Sequence, residues 1–155
     1  MSDLATIDAR GTLTLVRHLP GPIERVWAYL TDPQYLSKWF SEGVVANAVG
    51  GEVRFEMGAY GQITAYNPPH ILEYTWSEDD AAVGPIADSV LRWELAREGN
   101  GVRLMLTHMR LPDVEVVAHC AGWHAFLDRL LAFDAGRTVE PVMDLYAKYK
   151  PVYGG

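Results

Sequence analysis

Shortages in the sequence remove several classes of function before any pattern is considered. A single cysteine, Cys120, occurs in 155 residues, so no internal disulfide can staple the chain. Its place in an apolar stretch suits an inert, buried thiol. Basic residues number thirteen against twenty acidic ones, a net charge of −7. Without a basic patch, counterion release cannot hold a polyanion, which excludes nucleic acid and argues against an anionic membrane surface. No apolar run approaches the roughly 20 residues of a membrane span, and Met1-Ser2-Asp3-Leu4 lacks the basic lead of a signal peptide. The expected location is therefore cytoplasmic. Catalytic signatures are missing as well: there is no Gly-x-Ser-x-Gly, no phosphate-cradling glycine loop before a helix, and no third ligand to join His108 and His119 at metal spacing. Neither a metal nor a cofactor is expected.

What remains is a globular composition, 49% hydrophobic and 21% charged, of a length usual for one domain. The expected organisation is one domain over 1–155. Residues 1–11 form a loose tail or the lead-in to a strand, 12–135 the core, and 136–155 an extension with a short helix.

The periodicity changes along the chain in an informative order. Leu13, Leu15, Arg17 and Leu19 alternate as one face of a half-buried strand, with Arg17 the exception. After Pro20-Gly21-Pro22, the spacing of Ile23, Val26, Trp27 and Leu30 predicts a short amphipathic helix. Asp32 can cap, and Pro33 start, a second helix burying Leu36, Trp39 and Phe40. The pair carries no basic recognition face. Six strands joined by turn signals follow, over Val44–Val49, Glu52–Met57, Tyr60–Tyr66, His70–Ser77, Ile86–Glu98 and Val102–Leu111. Short connections predict an antiparallel meander, apolar on one face. Glu78-Asp79-Asp80 falls in the loop after the fourth of these strands and reads as solvated surface.

The meander needs a cover, and the long helix predicted over about Pro112–Phe133 supplies it. At about 100° per residue, Val116, His119, Cys120, Trp123, Phe126, Leu127 and Leu130 share one side, with Ala118, Ala121, Ala125, Asp128 and Arg129 opposite. The small side suits close approach of the 139–149 helix or of a second subunit, which leaves a homodimer as one alternative. His119 stands one turn before Trp123, whereas His124 lies about 140° further round.

Several of these segments together resemble a known family: Pro22-Ile-Glu-Arg-Val-Trp-Ala-Tyr-Leu-Thr-Asp-Pro33, Leu36 to Trp39-Phe40, Asn67-Pro-Pro-His-Ile-Leu-Glu-Tyr-Thr-Trp76, Val102-Arg-Leu-Met-Leu-Thr-His108 and Ala121-Gly-Trp123. They look like the proteins related to the activator of heat-shock protein 90 ATPase, in the START-like (SRPBCC) superfamily. The resemblance spans roughly Leu13 to Phe133. It implies an α+β helix-grip fold, a curved antiparallel sheet wrapped around the long C-terminal helix, with an apolar cavity between them. It makes Trp39, Phe40, Phe55, Tyr74, Trp76, Trp93, Trp123 and Leu127 candidates for the cavity lining, with His108 and His119 as polar anchors. The expected ligand is a small apolar molecule.

Two other readings stand beside it. One is an enzyme similar to the polyketide cyclases, with His119 or a tyrosine as acid/base. The other is an interaction module, chaperone-associated or dimerising. The residues themselves favour a plainer role for His119, a core histidine satisfied by a backbone or tyrosine partner, since histidine is of intermediate burial and needs only a partner.

Overall fold

The architecture was obtained as a computed structural model, which describes residues 3–81 and 84–154. Met1, Ser2, Gly155, and Ala82 and Val83 of the expected acidic loop, lie outside the described residues. Strands β1 (Thr6–Ile7) and β2 (Leu13–Pro20) precede helices α1 (Ile23–Thr31) and α2 (Pro33–Trp39). The meander follows as β3 (Gly43–Val45), β4 (Glu52–Phe55), β5 (Ala59–Asn67), β6 (Ile71–Glu78), β7 (Ile86–Glu98) and β8 (Gly101–Met109). Helix α3 (Asp113–Asp134), α4 (Val142–Tyr149) and a 3-10 turn at Pro151–Tyr153 complete the chain.

All eight strands form one antiparallel sheet in the order β1-β2-β8-β7-β6-β5-β4-β3. The last meander strand thus returns to pair with the first long one, and the two helices occupy the excursion between β2 and β3. Alternation along each strand sends one set of side chains to the covered face. Register then stacks these sets into rows, such as Leu72–Trp93–Leu106–Leu15 and Tyr74–Leu91–His108–Leu13. Every member of both rows is buried. At the β7–β8 turn, Gly99 adopts a left-handed φ of 59° that glycine accepts without steric cost.

The helices form where capping and periodicity place them. Pro22 precedes the first turn of α1, and the Asp32 carboxylate accepts the Gln34 amide at 2.9 Å while Pro33 opens α2. Trp39, at the end of α2, donates its indole N–H to the Tyr29 carbonyl at 2.9 Å, and its own carbonyl accepts Arg129 Nε from α3 at 2.9 Å. One residue therefore joins three helices. Tyr29 also donates to Asp134 at 2.9 Å, fastening α1 to the far end of α3.

Helix α3 differs from the two-sided helix expected of its sequence. Ala121, His124 and Ala125, on or near the small side, are as buried as Trp123 and Leu127. The reason is the C-terminal extension, since α4 and the 3-10 turn both pack against α3. The His124 ring stacks on Tyr149 with centroids 3.7 Å apart and pairs through Nδ1 with the Tyr153 hydroxyl at 2.8 Å. That hydroxyl also accepts the Ala5 amide at 2.7 Å, so the two ends of the chain meet over α3. Arg17, the exception in its strand, is buried. Its Nη1 donates to the Val16 carbonyl at 2.8 Å.

The position of Trp39 gives a direct test of this packing. Trp39→Ala removes a buried ring and leaves the Tyr29 carbonyl without its donor, and should cost about 3–5 kcal/mol in urea unfolding.

Candidate functional site

The ten residues expected to line a cavity do come together, but mostly with one another. Phe40 stacks on Trp123 at 5.5 Å and meets Phe55 edge-on at 4.9 Å. Trp76 meets Trp123 at 5.2 Å, Trp93 meets Trp123 at 5.8 Å and Trp39 at 6.2 Å, and Phe55 lies 6.2 Å from Tyr74. With Leu127, these rings belong to one continuous core. The space directly beneath α3 is filled by aromatic side chains.

A chain of hydrogen bonds runs through that core. Trp123 Nε1–H donates to His108 Nδ1 at 3.0 Å. Ser89 donates its hydroxyl proton to the Trp76 carbonyl at 2.6 Å, so at 2.9 Å from His108 Nε2 it must accept. His108 is thereby fixed as the neutral tautomer carrying its proton on Nε2. Burial, joined by the neighbouring His119, holds this imidazole well below its ordinary range.

The opening lies at the rim of the aromatic cluster. A cleft of about 290 Å³ is bounded by Trp76 and Glu78 from β6, by Glu115, Ala118, His119, Gly122, Trp123 and Phe126 from α3, by Met57 after β4, and by Met143 and Tyr146 at α4. Of the expected lining residues, Trp76, His119 and Trp123 face this cleft. Trp39, Phe40, Phe55, Tyr74, Trp93, His108 and Leu127 lie in the packed core behind it.

Its polar corner is built from two elements. Glu78 ends β6 and keeps the inward parity of Leu72, Tyr74 and Trp76, contrary to its expected place in a solvated loop. Its Oε2 accepts Trp76 Nε1–H at 2.7 Å and lies 3.0 Å from His119 Nε2. A register shift between Trp76 and Glu78 marks a bulge here, where Asp88 has a φ of 51° and its amide donates to Ser77 Oγ at 2.9 Å. Burial alone would raise the Glu78 carboxyl, but the hydrogen bonds from His119 and Trp76 outweigh it and hold the group below its usual range. His119 Nδ1 faces the Glu115 carbonyl at 2.9 Å, with the buried Glu115 carboxylate 3.6 Å away. Both ring nitrogens thus face oxygen atoms of acidic residues, one on its own helix and one on β6.

Other chemistry finds little footing. No three His, Cys, Asp or Glu side chains among the described residues are arranged to hold a metal ion. Burial pushes the Cys120 thiol up to about 11, which keeps it unreactive. No helix among the described residues is long and apolar enough to cross a membrane.

Sequence reasoning did not assign Met57, Glu78, Glu115, Ala118, Gly122, Phe126, Met143 or Tyr146 to the site. For Glu78 a signal existed, namely the alternation Leu72, Tyr74, Trp76, Glu78. For Met143 and Tyr146 none did, because only the path of the chain between α3 and α4 brings them to the cleft.

An open, curved antiparallel sheet gripped by a long C-terminal helix defines the START-like class of fold. A family model described as activator of Hsp90 ATPase homolog 1-like protein matches residues 20–133, and the chain belongs to that family. Among solved structures it is similar to CalU16 of Micromonospora echinospora, with 24% identity, a TM-score of 0.78, and coverage of 97% of this chain and 92% of that one. A Bordetella parapertussis protein is 30% identical with a TM-score of 0.77, over 94% of this chain and 85% of that one. DynU16, from the dynemicin biosynthetic locus, is 23% identical with a TM-score of 0.69, over 85% of this chain and 50% of that one. No match was found among curated protein sequences.

The fixed tautomer of His108 predicts a pH dependence. The native ring stays neutral while the unfolded chain takes up a proton near pH 6.5, so the native state falls behind as pH drops. Stability should fall by on the order of 1 kcal/mol per pH unit below that point from this group alone. His108→Gln keeps one acceptor and one donor, and urea unfolding at pH 7, 6 and 5 should show a shallower slope for it than for the wild type.

Proposed function

We propose that the chain binds a small, largely apolar ligand in the cleft between α3, the end of β6 and α4. The observation that carries this reading is Gly122. A glycine inside a helix costs about 1 kcal/mol relative to alanine, and this one is not required by packing, because nothing stands within 4 Å of where its Cβ would be. Its conformation is not left-handed either. What the missing side chain does is keep the cleft open beside Trp123.

The composition of the walls supports the same reading. Ligand sites are mainly apolar and aromatic, with a few polar groups that orient the ligand, and here Trp76, Trp123, Phe126 and the two methionines surround one polar corner. The volume of about 290 Å³ stands at the lower end of the usual range of roughly 300–1,000 Å³, which suits a compact ligand. Met57 and Met143 are exposed at the mouth, where flexible thioethers adapt to varied shapes.

The enzyme reading through His119 has less support, because its two nitrogens are engaged by Glu115 and Glu78 and neither faces the cleft free to move a proton. Dimerisation through the small side of α3 has less as well. Ala121 and Ala125 are already buried within the chain, and Ala118 and Gly122 face the cleft.

A glycine replacement separates binding from folding. Gly122→Leu should fold with a melting temperature equal to or above that of the wild type while filling the cleft. Naphthylethanol, a neutral aromatic probe, should add roughly 2.7 kcal/mol of stability to the wild type at a hundredfold excess over its dissociation constant. The variant should gain nothing. Equal gains in both proteins would overturn the assignment of the site.

A further inference from the structure

Resting on that reading of the cleft, we infer that its ligand carries a hydroxyl group, bound as a hydrogen-bond donor to Glu78 Oε1, and that apolar molecules whose only polar groups are ethers, ketones or esters are discriminated against. Glu78 Oε2 accepts the Trp76 indole N–H at 2.7 Å and lies 3.0 Å from His119 Nε2. Oε1 has no hydrogen-bond partner among the described residues, in a side chain that borders the cleft and keeps 19% exposure.

The other polar groups of the lining are engaged within the protein. The Trp76 N–H goes to Glu78 itself, and the Trp123 N–H goes to His108. Both nitrogens of His119 face protein oxygens, and the Glu115 side chain keeps only 2% exposure. The Tyr146 hydroxyl can donate or accept, so it favours neither kind of ligand. What remains to select a ligand is Glu78 Oε1, an acceptor.

At neutral pH that acceptor is ionised, because burial works against the charge but the hydrogen bonds with His119 and Trp76 outweigh it. An ionised carboxylate only accepts, and its hydrogen bonds are stronger than those between neutral groups. A hydroxyl satisfies it directly. An ether or carbonyl oxygen in the same place would strip Oε1 of water without supplying a donor, a costly state in an apolar recess. The aromatic rings and methionines of the walls hold either kind of molecule. Affinity in general therefore comes from the walls, and selection from one oxygen.

Naphthylethanol and its methyl ether separate these contributions, since they share a ring system and differ in one O–H. Apolar burial alone would make the ether about fourfold tighter through its extra methyl. A hydrogen bond to a charged acceptor is worth roughly tenfold or more. Calorimetric titration of the wild-type chain at pH 7 should therefore show the alcohol bound at least about threefold more tightly. Glu78→Gln should reverse the order. The Trp76 N–H holds the amide oxygen at the Oε2 position and turns the NH2 group toward the cleft, a donor that either probe's oxygen can meet, so the extra methyl decides. The ranking in the wild type stands as a test even if that variant fails to fold. Ether binding equal to or tighter than alcohol binding in the wild type, with both lost in Gly122→Leu, overturns the hydroxyl preference and leaves the cleft assignment intact. An unchanged order in folded Glu78→Gln overturns the role of Glu78 Oε1. Absence of binding by both probes overturns the hydroxyl preference and the cleft assignment together.

Discussion

The hydrogen bond from the Trp123 indole to His108 sets the rotation of α3 on the sheet, and the arrangement of the site follows from it. The bond passes through the middle of an aromatic core and continues through Ser89 to the backbone of β6. Every link is buried, so breaking one would leave two polar groups without partners in a medium that penalises each. A rotation of α3 by one residue, about 100°, would pull the indole off His108. With Trp123 fixed, His119 one turn earlier must stand over the end of β6, where Glu78 meets it. Ala118 and Gly122 then face the cleft. The polar chain in the core thus acts as a register pin for the residues around the opening.

This pin also explains how the core can be full and the fold still offer a site. Side chains on the covered sheet face and on the inward stripe of α3 meet as a continuous set of rings, leaving no room directly beneath the helix. The cleft lies where the sheet's inward row ends in Glu78 in place of another aromatic, and where the helix carries Ala118 and Gly122 in place of large residues. Both changes occur at the same end of the interface. The extension carrying Met143 and Tyr146 then closes one side of the gap.

Most of the frame was legible in the sequence, because it rests on local periodicity. Period-two alternation gave the inward faces of β2, β4, β6, β7 and β8, and Asp32-Pro33 gave the boundary between the two short helices. His119 was correctly placed on the inward side of α3 by its spacing from Trp123. The cleft was less legible. Glu78 was assigned to the loop because Asp79 and Asp80 share its charge, although parity kept it with Trp76. The small side of α3 was visible, but the sequence could not divide it between residues packed within the chain, Ala121 and Ala125, and residues facing open space, Ala118 and Gly122. That division depends on where α4 lies, a contact between segments that no local pattern encodes.

The same distinction bears on how much family membership can say about the ligand. The family model covers residues 20–133, which includes the sheet from β3 onward, α3, the Trp123–His108 pin and the Glu78–His119 corner. Met143 and Tyr146 stand outside it, on a short helix that packs mainly against α3 and the 3-10 turn. A segment attached in this way can change its side chains without disturbing the aromatic core, whereas Trp76 or Trp123 cannot change without loosening it. On the proposed reading, the frame fixes the position and polarity of the corner, and the extension sets the size and shape of the opening beside it. Shared fold carries shared function only as far as those two contributions coincide.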